Sequence, residues 1–478
     1  MNKHKLPTLA LAALLLSGGC TMAPEYTRPE DPVSAEWPKG DAYKELQADA
    51  IQKVAGIPWK KFFTDARLRK VIRRALKNNR DLRIAALNVE RARAVYGVHR
   101  TGIYPSVDGS GSMDKQQRSA DLVEANQPQS TEKYTLKAEI PSWELDFFGR
   151  IRSLTDQALE EYLATEEARR SAELALIAAV ARAYLTLAAD QENLKLARAT
   201  LESQQDSYDL IGKSYENGLA TEIDLRRAQT GVESAKRDVP RFTQMVAQDR
   251  NALDLLVGKP VPEKLLPDEL NSVAALKEII DPGLPSAVLL NRPDITAAEH
   301  KLKGAYAYIG AARASVFPRI SLTASAGTAS DELSGLFGSG TNIWSFMPQI
   351  DVPIFDSRVW AALSTSETDR KILLAKYEKT VQTAFKEVAD ALAVQGTIGD
   401  QLAAQEALVE SAQATYELSD KRYTMGLDSY LSVLDAHRSL YAQQQALISL
   451  HLARLANQVM LYAVLGGGRE LKNPLPKK

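Results

Sequence analysis

One unit of this chain is written twice. Tyr208, Asp209, Leu210, Lys213, Tyr215, Gly218 and Leu219 recur as Tyr416, Glu417, Leu418, Lys421, Tyr423, Gly426 and Leu427, each 208 residues further on. Leu256-Val257-Gly258 returns as Val464-Leu465-Gly466 at the same spacing. Earlier in the unit, Ile103-Tyr104-Pro105 matches Val316-Phe317-Pro318 and Asp81-Leu82 matches Asp294-Ile295, both 213 apart. A duplicated unit of about 200 residues restricts the fold to two structurally similar halves. Each half reads as short helices, a strand pair and two long helices.

Charge and composition remove several function classes. Lys and Arg number 59 against 60 Asp and Glu, a net charge of −1, so the chain offers no basic field to a nucleic acid. No glycine-rich phosphate loop is present, and no nucleophile, base and acid cluster together, so neither nucleotide hydrolysis nor another enzyme activity is expected. The five histidines are scattered without metal-ligand spacing, and the one cysteine, Cys20, excludes a disulfide within the chain.

Cys20 follows a basic start (Lys3, Lys5), a mostly apolar run from Leu6 to Leu16, and Ser17-Gly18-Gly19. The run is too short for a helical membrane span and has the layout of a secretory signal over residues 1–19. The small residues before a lone cysteine resemble a bacterial lipoprotein signal, although Ser17 stands where an apolar residue is usual. That resemblance implies a diacylglycerol thioether on Cys20, the only covalent group expected, no cofactor or metal being called for. Thr21 in the next position favours the outer membrane by the same resemblance. No other segment approaches ~18 consecutive apolar residues, so a membrane crossing would have to use strands.

Residues 20–58, punctuated by Pro24, Pro29, Pro32, Pro38 and Pro58, read as an extended arm without its own core. The first repeat is placed at 59–260, a linker at 261–285, the second repeat at 286–468 and a tail at 469–478. Lys61 to Thr101 reads helical, with Asp81 as an N-cap. Then the period changes. Tyr134, Leu136, Ala138 and Ile140 alternate with polar residues, as do Ile320, Leu322, Ala324 and Ala326, which predicts strand pairs over 103–146 and 317–355. Tyr104, Trp143, Phe147, Phe148, Phe317, Trp344, Phe346 and Phe355 flank them, like the interfacial aromatics of barrels, although a soluble half-buried sheet would alternate identically. Polar loops are expected over 114–133 and 330–342.

Long helices follow the strand pairs, at 150–213 and 221–257 in the first repeat and at 358–424 and 429–464 in the second, where a helix at 293–315 precedes the strands. A run of roughly 64 residues extends about 95 Å as a helix. Leu187, Leu194, Leu201, Tyr208 and Tyr215 fall seven apart, as do Leu402, Val409, Tyr416 and Tyr423, and Leu225, Val232, Val239, Val246 and Leu253. Such heptads make a coiled-coil seam. Pro240 should kink its helix where the matching Ile448 would not. Gly218 and Gly426 suit helix C-caps, and Thr221 or Asp428 an N-cap for the returning helix.

Pro24-Glu25-Tyr26-Thr27-Arg28-Pro29, Asn78-Asn79-Arg80-Asp81-Leu82, Trp143-Glu144-Leu145-Asp146-Phe147-Phe148-Gly149-Arg150, Arg292-Pro293-Asp294-Ile295, Asp420-Lys421-Arg422-Tyr423 and Leu465-Gly466-Gly467-Gly468 together resemble the outer-membrane efflux channels of tripartite drug exporters, the TolC-like and especially OprM-like lipoproteins. The resemblance covers essentially the whole chain. It implies an α+β membrane protein: a homotrimer whose four strands per chain close a twelve-stranded β-barrel, continued by a long α-helical barrel in the periplasm. The implied partners are a periplasmic adaptor (membrane fusion) protein, an inner-membrane RND pump and outer-membrane lipid. It places a gate at Leu431 and Asp435, four apart and therefore on one helix face, a hydrophobic ring beside a carboxylate ring. The positions 208 earlier are Ile223 and Arg227, so only the second repeat can supply the acid. It also implies tip-closure contacts at Asp190, Tyr423 and Arg438, with an Asp190–Arg438 pair holding the tip shut.

The expected role is a passive exit duct for drugs and other small toxic compounds. Two alternatives stay open: the same fold exporting metal ions or proteins, and a lipid-anchored periplasmic coiled-coil scaffold carrying a small soluble sheet. Seven methionines and scattered histidines provide no relay for copper or silver, which weighs against metal export.

Overall fold

A computed structural model describes residues 21–43, 57–123, 127–270, 289 and 292–467. Cys20, the signal segment, residues 44–56 of the arm, residues 271–285 of the linker and the C-terminal tail lie outside the described residues. The described elements are α1 (Trp59–Phe62), α2 (Ala66–Asn78), α3 (Arg80–Thr101), β1 (Asp108–Gln117), β2 (Ser130–Glu144), α4 (Arg150–Glu216), α5 (Glu222–Val257), α6 (Pro293–Ala314), β3 (Arg319–Ser330), β4 (Asn342–Asp351), α7 (Ser357–Thr424) and α8 (Tyr430–Val464). The chain divides into two compact units: 1–29, 88–166 and 297–377 form one, and 30–87, 167–296 and 378–478 the other.

The first unit is built on one antiparallel sheet of order β1-β2-β3-β4. Register sorts its side chains. Ala138 pairs with Ala326 and Ala326 with Trp344, while Ala324 pairs with Phe346 and Ile320 with Ile350. These residues share one face, because cross-strand partners point the same way. Leu136, Trp344, Phe346 and Ile350 on that face are exposed. The opposite face carries Ser110, Lys137, Glu139, Ser325 and Ser345. There Ser110 donates to Glu139 at 3.1 Å, Lys137 pairs with Glu139, and the Ser325 and Ser345 hydroxyls lie 2.8 Å apart. The sheet is therefore inverted relative to a soluble one: apolar residues face outward.

Pairing carries β1 and β2 into sequence expected as loop. The ladder continues from Asp114 opposite Lys133 to Gln117 opposite Ser130. A Lys115–Glu132 cross-strand pair substitutes there for apolar contacts. Gly327 is required where β3 meets β2, since a Cβ would lie 2.2 Å from the Leu136 carbonyl oxygen. The β2–β3 register shifts between Ile140 and Trp143, at Pro141, which has no N–H to give the ladder.

Where the sheet meets the helices, Asp146 accepts from the Ile151 and Arg152 amides at 3.0 and 2.9 Å, capping the start of α4. Arg150 grips Glu144 with two bonds of 2.7 Å, and Arg319 reaches the same carboxylate at 2.8 Å. The arm lies along α6. Arg28 and Lys303 bind Glu299 at 2.6 and 3.0 Å, and Tyr26 meets Tyr306 edge-on. Burial alone would raise the Glu299 carboxyl, but the two cations outweigh it and hold it below the usual range.

The second unit is helical. The helical stretch from Lys61 to Thr101 is divided among α1, α2 and α3. Its last break is set by Asn79 rather than Asp81: Asn79 Oδ1 accepts from the Leu82 amide at 2.9 Å, and its Nδ2 donates to the Leu256 carbonyl. Phe62 stacks on Tyr462 at 4.1 Å, and α2 buries Leu68, Val71, Ile72 and Ala75. Arg292, 8% exposed, binds Asp294, Glu387 and the Val464 carbonyl, joining the starts of α6 and the ends of α8 to α7. Helix α5 runs from Glu222 to Val257 through Pro240 as one element.

The α4 seam lies partly one step away from the apolar heptad. Leu187 is buried, Leu194, Leu201 and Tyr208 are half-buried, and Tyr215 is exposed. The fully buried line is Asp190, Ala197, Gln204 and Ile211, also seven apart. Together they form alternating layers of a coiled-coil core, two of which are polar. Helices α4 and α8 are long and apolar enough to cross a membrane by composition alone, but half the apolar window of α4 is buried within the fold.

Candidate gate at the hairpin tips

Both helical hairpins turn the same way. Gly218 and Gly426 adopt φ of 75° and 73°, the left-handed conformation that favours glycine. Each is followed by a leucine amide returning to the preceding turn: Leu219 to Ser214 and Leu427 to Arg422, at 2.8 and 2.9 Å. The returns differ. Thr221 caps α5 in a reciprocal box with Asp224. In the second hairpin the N-cap is Ser429, with no side-chain bond, and not Asp428. Asp428 is held by Arg422 at 2.5 Å, and that bond keeps its carboxyl below the ordinary range.

The hairpins pack through Ile211, Ala228, Tyr430, Val433 and Leu434, with Tyr208, Tyr416 and Tyr423 against them. This fixes the face of α8. Tyr430, Val433, Leu434 and Leu440 point inward, and the other side of the helix presents Leu431, Asp435 and Arg438 as an exposed stripe. Leu431 is 37% exposed, which leaves an apolar side chain and a carboxylate on a free helix face. Tyr423 meets Tyr430 at 5.5 Å, and burial, with Asp224 nearby, raises its hydroxyl pKa. Burial pushes Tyr430 up to about 12.

Asp190 does not join this group. It precedes the end of α4 by 26 residues, about 39 Å of helix, whereas Arg438 is eight residues into α8, about 12 Å. An Asp190–Arg438 pair within one chain is therefore out of reach. Asp190 faces Asp249 of α5 instead, and burial together with that neighbour pushes the Asp249 carboxyl up to about 7. Sequence reasoning also passed over Gln204 and His437, whose side chains meet at 2.8 Å between α4 and α8. The available signal was position: both lie on the seven-residue core spacing, as polar residues where apolar ones were sought.

The sequence pattern of the outer membrane efflux protein family matches residues 71–259 and 284–467, both repeats. The chain belongs to that family. Two Pseudomonas putida proteins, the toluene efflux pump outer membrane protein TtgC and the antibiotic efflux pump outer membrane protein ArpC, are each 46% identical over 471 residues, covering 98% of this chain and 96% of theirs. The open state of the Neisseria gonorrhoeae MtrE outer membrane channel superposes with a TM-score of 0.84 at 36% identity, covering 94% of this chain and 98% of that one. This outer membrane efflux protein has the channel fold of that family, a four-stranded sheet per chain with long helices, and its place is the outer membrane. Both of these relatives are named as outer membrane proteins of efflux pumps.

Proposed function

We propose that three copies of this chain close twelve strands into one barrel and form the passive exit duct of a tripartite efflux pump. The observation that carries this reading is the sheet. Its apolar residues face outward in register, and β1 and β4 end it as bare edges. A lone sheet with such edges would aggregate; pairing β4 of one copy with β1 of the next removes them. A periplasmic adaptor protein and an inner-membrane RND pump supply cargo and energy. The cargo is small and apolar or amphiphilic, by analogy with the relatives named for toluene and antibiotics. A lipid on Cys20 anchors the arm. Leu431 and Asp435 supply the gate, an apolar ring restricting water beside a carboxylate ring favouring cations; Arg438 shares their exposed face, and Tyr423 packs on the core side of the same helix.

A deletion strain tests this, with and without the gene restored, on toluene, unrelated antibiotics, copper and silver. Sensitivity to toluene and to unrelated antibiotics, reversed by restoration, is the expected result. Sensitivity confined to metals would shift the reading to metal export. A detergent-resistant trimer on an unboiled gel separates the barrel from the coiled-coil scaffold, which would run as a monomer.

A further inference from the structure

The core beneath the candidate gate holds a polar contact where an apolar one would pack better. Gln204 of α4 is 5% exposed, and its Nε2 lies 2.8 Å from Nδ1 of His437 on α8. Helix α5 leaves room for it with a glycine: a Cβ on Gly231 would fall 2.2 Å from Gln204 Oε1. Helix α7 completes the site, with the Tyr416 ring edge-on to the imidazole at 5.1 Å. Four helices thus converge on one hydrogen bond. His437 is two residues beyond Asp435 and six beyond Leu431, on the opposite side of the same helix. Whatever fixes His437 fixes the height and rotation of the exposed stripe. The arrangement occurs once per chain, since Ala412, Gln229 and Ser439 stand at the matching positions of the repeat.

A polar pair in a coiled-coil seam specifies register at a cost in stability. Here it also responds to protons. With Nδ1 accepting from the Gln204 amide, the imidazole is neutral and carries its proton on Nε2. A proton added at Nδ1 would oppose two donors and break the bond. Rotating the amide would offer Oε1, which is buried without a partner, yet the imidazolium would remain a partly buried charge. Its surroundings do not neutralise it. Tyr416 faces it from α7, Gln204 from α4, and α5 brings Gly231 against Gln204. Tyr441, one turn along α8, is directed to Asp238 of α5, which Arg237 already holds at 2.9 Å. Asp435 and Arg438 are on the exposed side.

We propose that the Gln204–His437 bond is a latch that holds the gate-bearing helix α8 in register against α4, and that proton uptake by His437 releases it. The inference rests on the reading of Leu431 and Asp435 as the gate. Its sign follows from burial, which holds the His437 imidazole below its ordinary range. The latched state is favoured above about pH 6.5 and loses its advantage as pH falls below that, because the released helix binds the proton more readily.

The experiment is conductance of the full-length protein in planar lipid bilayers between about pH 7.5 and about pH 5. Wild type should rise several-fold on acidification. His437→Gln, which can bond Gln204 but takes no proton, should stay low throughout. His437→Leu should lose the acid response, whatever its conductance at neutral pH. A wild type without an acid response, or an acid response surviving in both variants, overturns the latch. If His437→Leu fails to form a detergent-resistant trimer, His437→Gln alone decides. Leu431→Ala and Asp435→Asn separate the two readings: they should change conductance and cation selectivity while keeping the acid response. If they change nothing, the gate reading has failed; if they act while wild type ignores pH, only the latch has.

Discussion

The two repeats place matching helices at matching spacings and then fill them with different chemistry. Ile223 and Arg227 near the start of α5 correspond to Leu431 and Asp435 of α8, Asp190 and Asp249 to Ile398 and Asn457, and Pro240 to Ile448. The hairpin turns kept their glycines and their leucine returns. The difference shows where the constraint lies. Turn geometry and apolar packing are needed twice, because each hairpin must fold. An acid at the proposed gate is needed only on the helix whose free face carries it, and a carboxyl pair only where burial and the neighbouring Asp190 can keep a proton on Asp249.

The gate offers the strongest way to break this comparison. Asp435→Asn should reduce cation preference and change single-channel conductance several-fold, whereas Arg227→Gln should do neither. Equal effects from both would mean that the repeats share the lumen and that the asymmetry is decorative. Next in size is the core beneath the stripe. Leu434→Ala should cost the tip hairpins about 2–4 kcal/mol, read as faster amide exchange, because it empties a buried site that can only partly collapse. Arg226, the exposed residue at the same position of the first repeat, should cost under about 0.5 kcal/mol as alanine.

The buried acid pair adds a pH test confined to the first repeat. Asp249 is pushed up to about 7, far above the unfolded carboxyl, so the native state keeps a proton that the unfolded chain has lost. Stability should therefore fall as pH rises from about 4 to about 7 and level off above it. Asp249→Asn removes that titration, and its melting temperature should vary by a few degrees less across this window. A wild-type melt as flat as that of the variant would show that Asp190 and Asp249 do not share a proton. The second repeat already carries the neutral answer, with Asn457 Nδ2 donating to the Ala391 carbonyl at 2.9 Å.

Which parts were legible in the sequence follows from the same distinction. Repetition, period and turn glycines are local signals, and they located the strand pairs and the long helices. The heptad of leucines and tyrosines was visible because it is apolar. The alternate layer was not, because Asp190 and Gln204 look like surface residues until a second helix covers them. Strand length was understated for a related reason: Lys115 and Glu132 read as loop alone but pair across the ladder. Leu431 and Asp435 were placed on one face by their spacing, and the structure leaves that face exposed. Within one chain, helical rise alone puts Asp190 out of reach of Arg438.

The smallest effect compares the two returning helices at their caps. Thr221 accepts from the Asp224 amide at 3.2 Å and donates to its carboxylate at 2.6 Å, so Thr221→Ala should loosen the start of α5 by about 1 kcal/mol. Ser429 makes no side-chain cap bond, so Ser429→Ala should cost only a few tenths. Amide exchange over the first turn of each helix reads the difference directly. The result matters beyond the caps, since α8 is the helix proposed to move. If Ser429→Ala loosens its helix as much as Thr221→Ala does, the serine is capping in solution, both repeats are fastened alike, and a weaker start of α8 cannot be part of how the proposed gate would move.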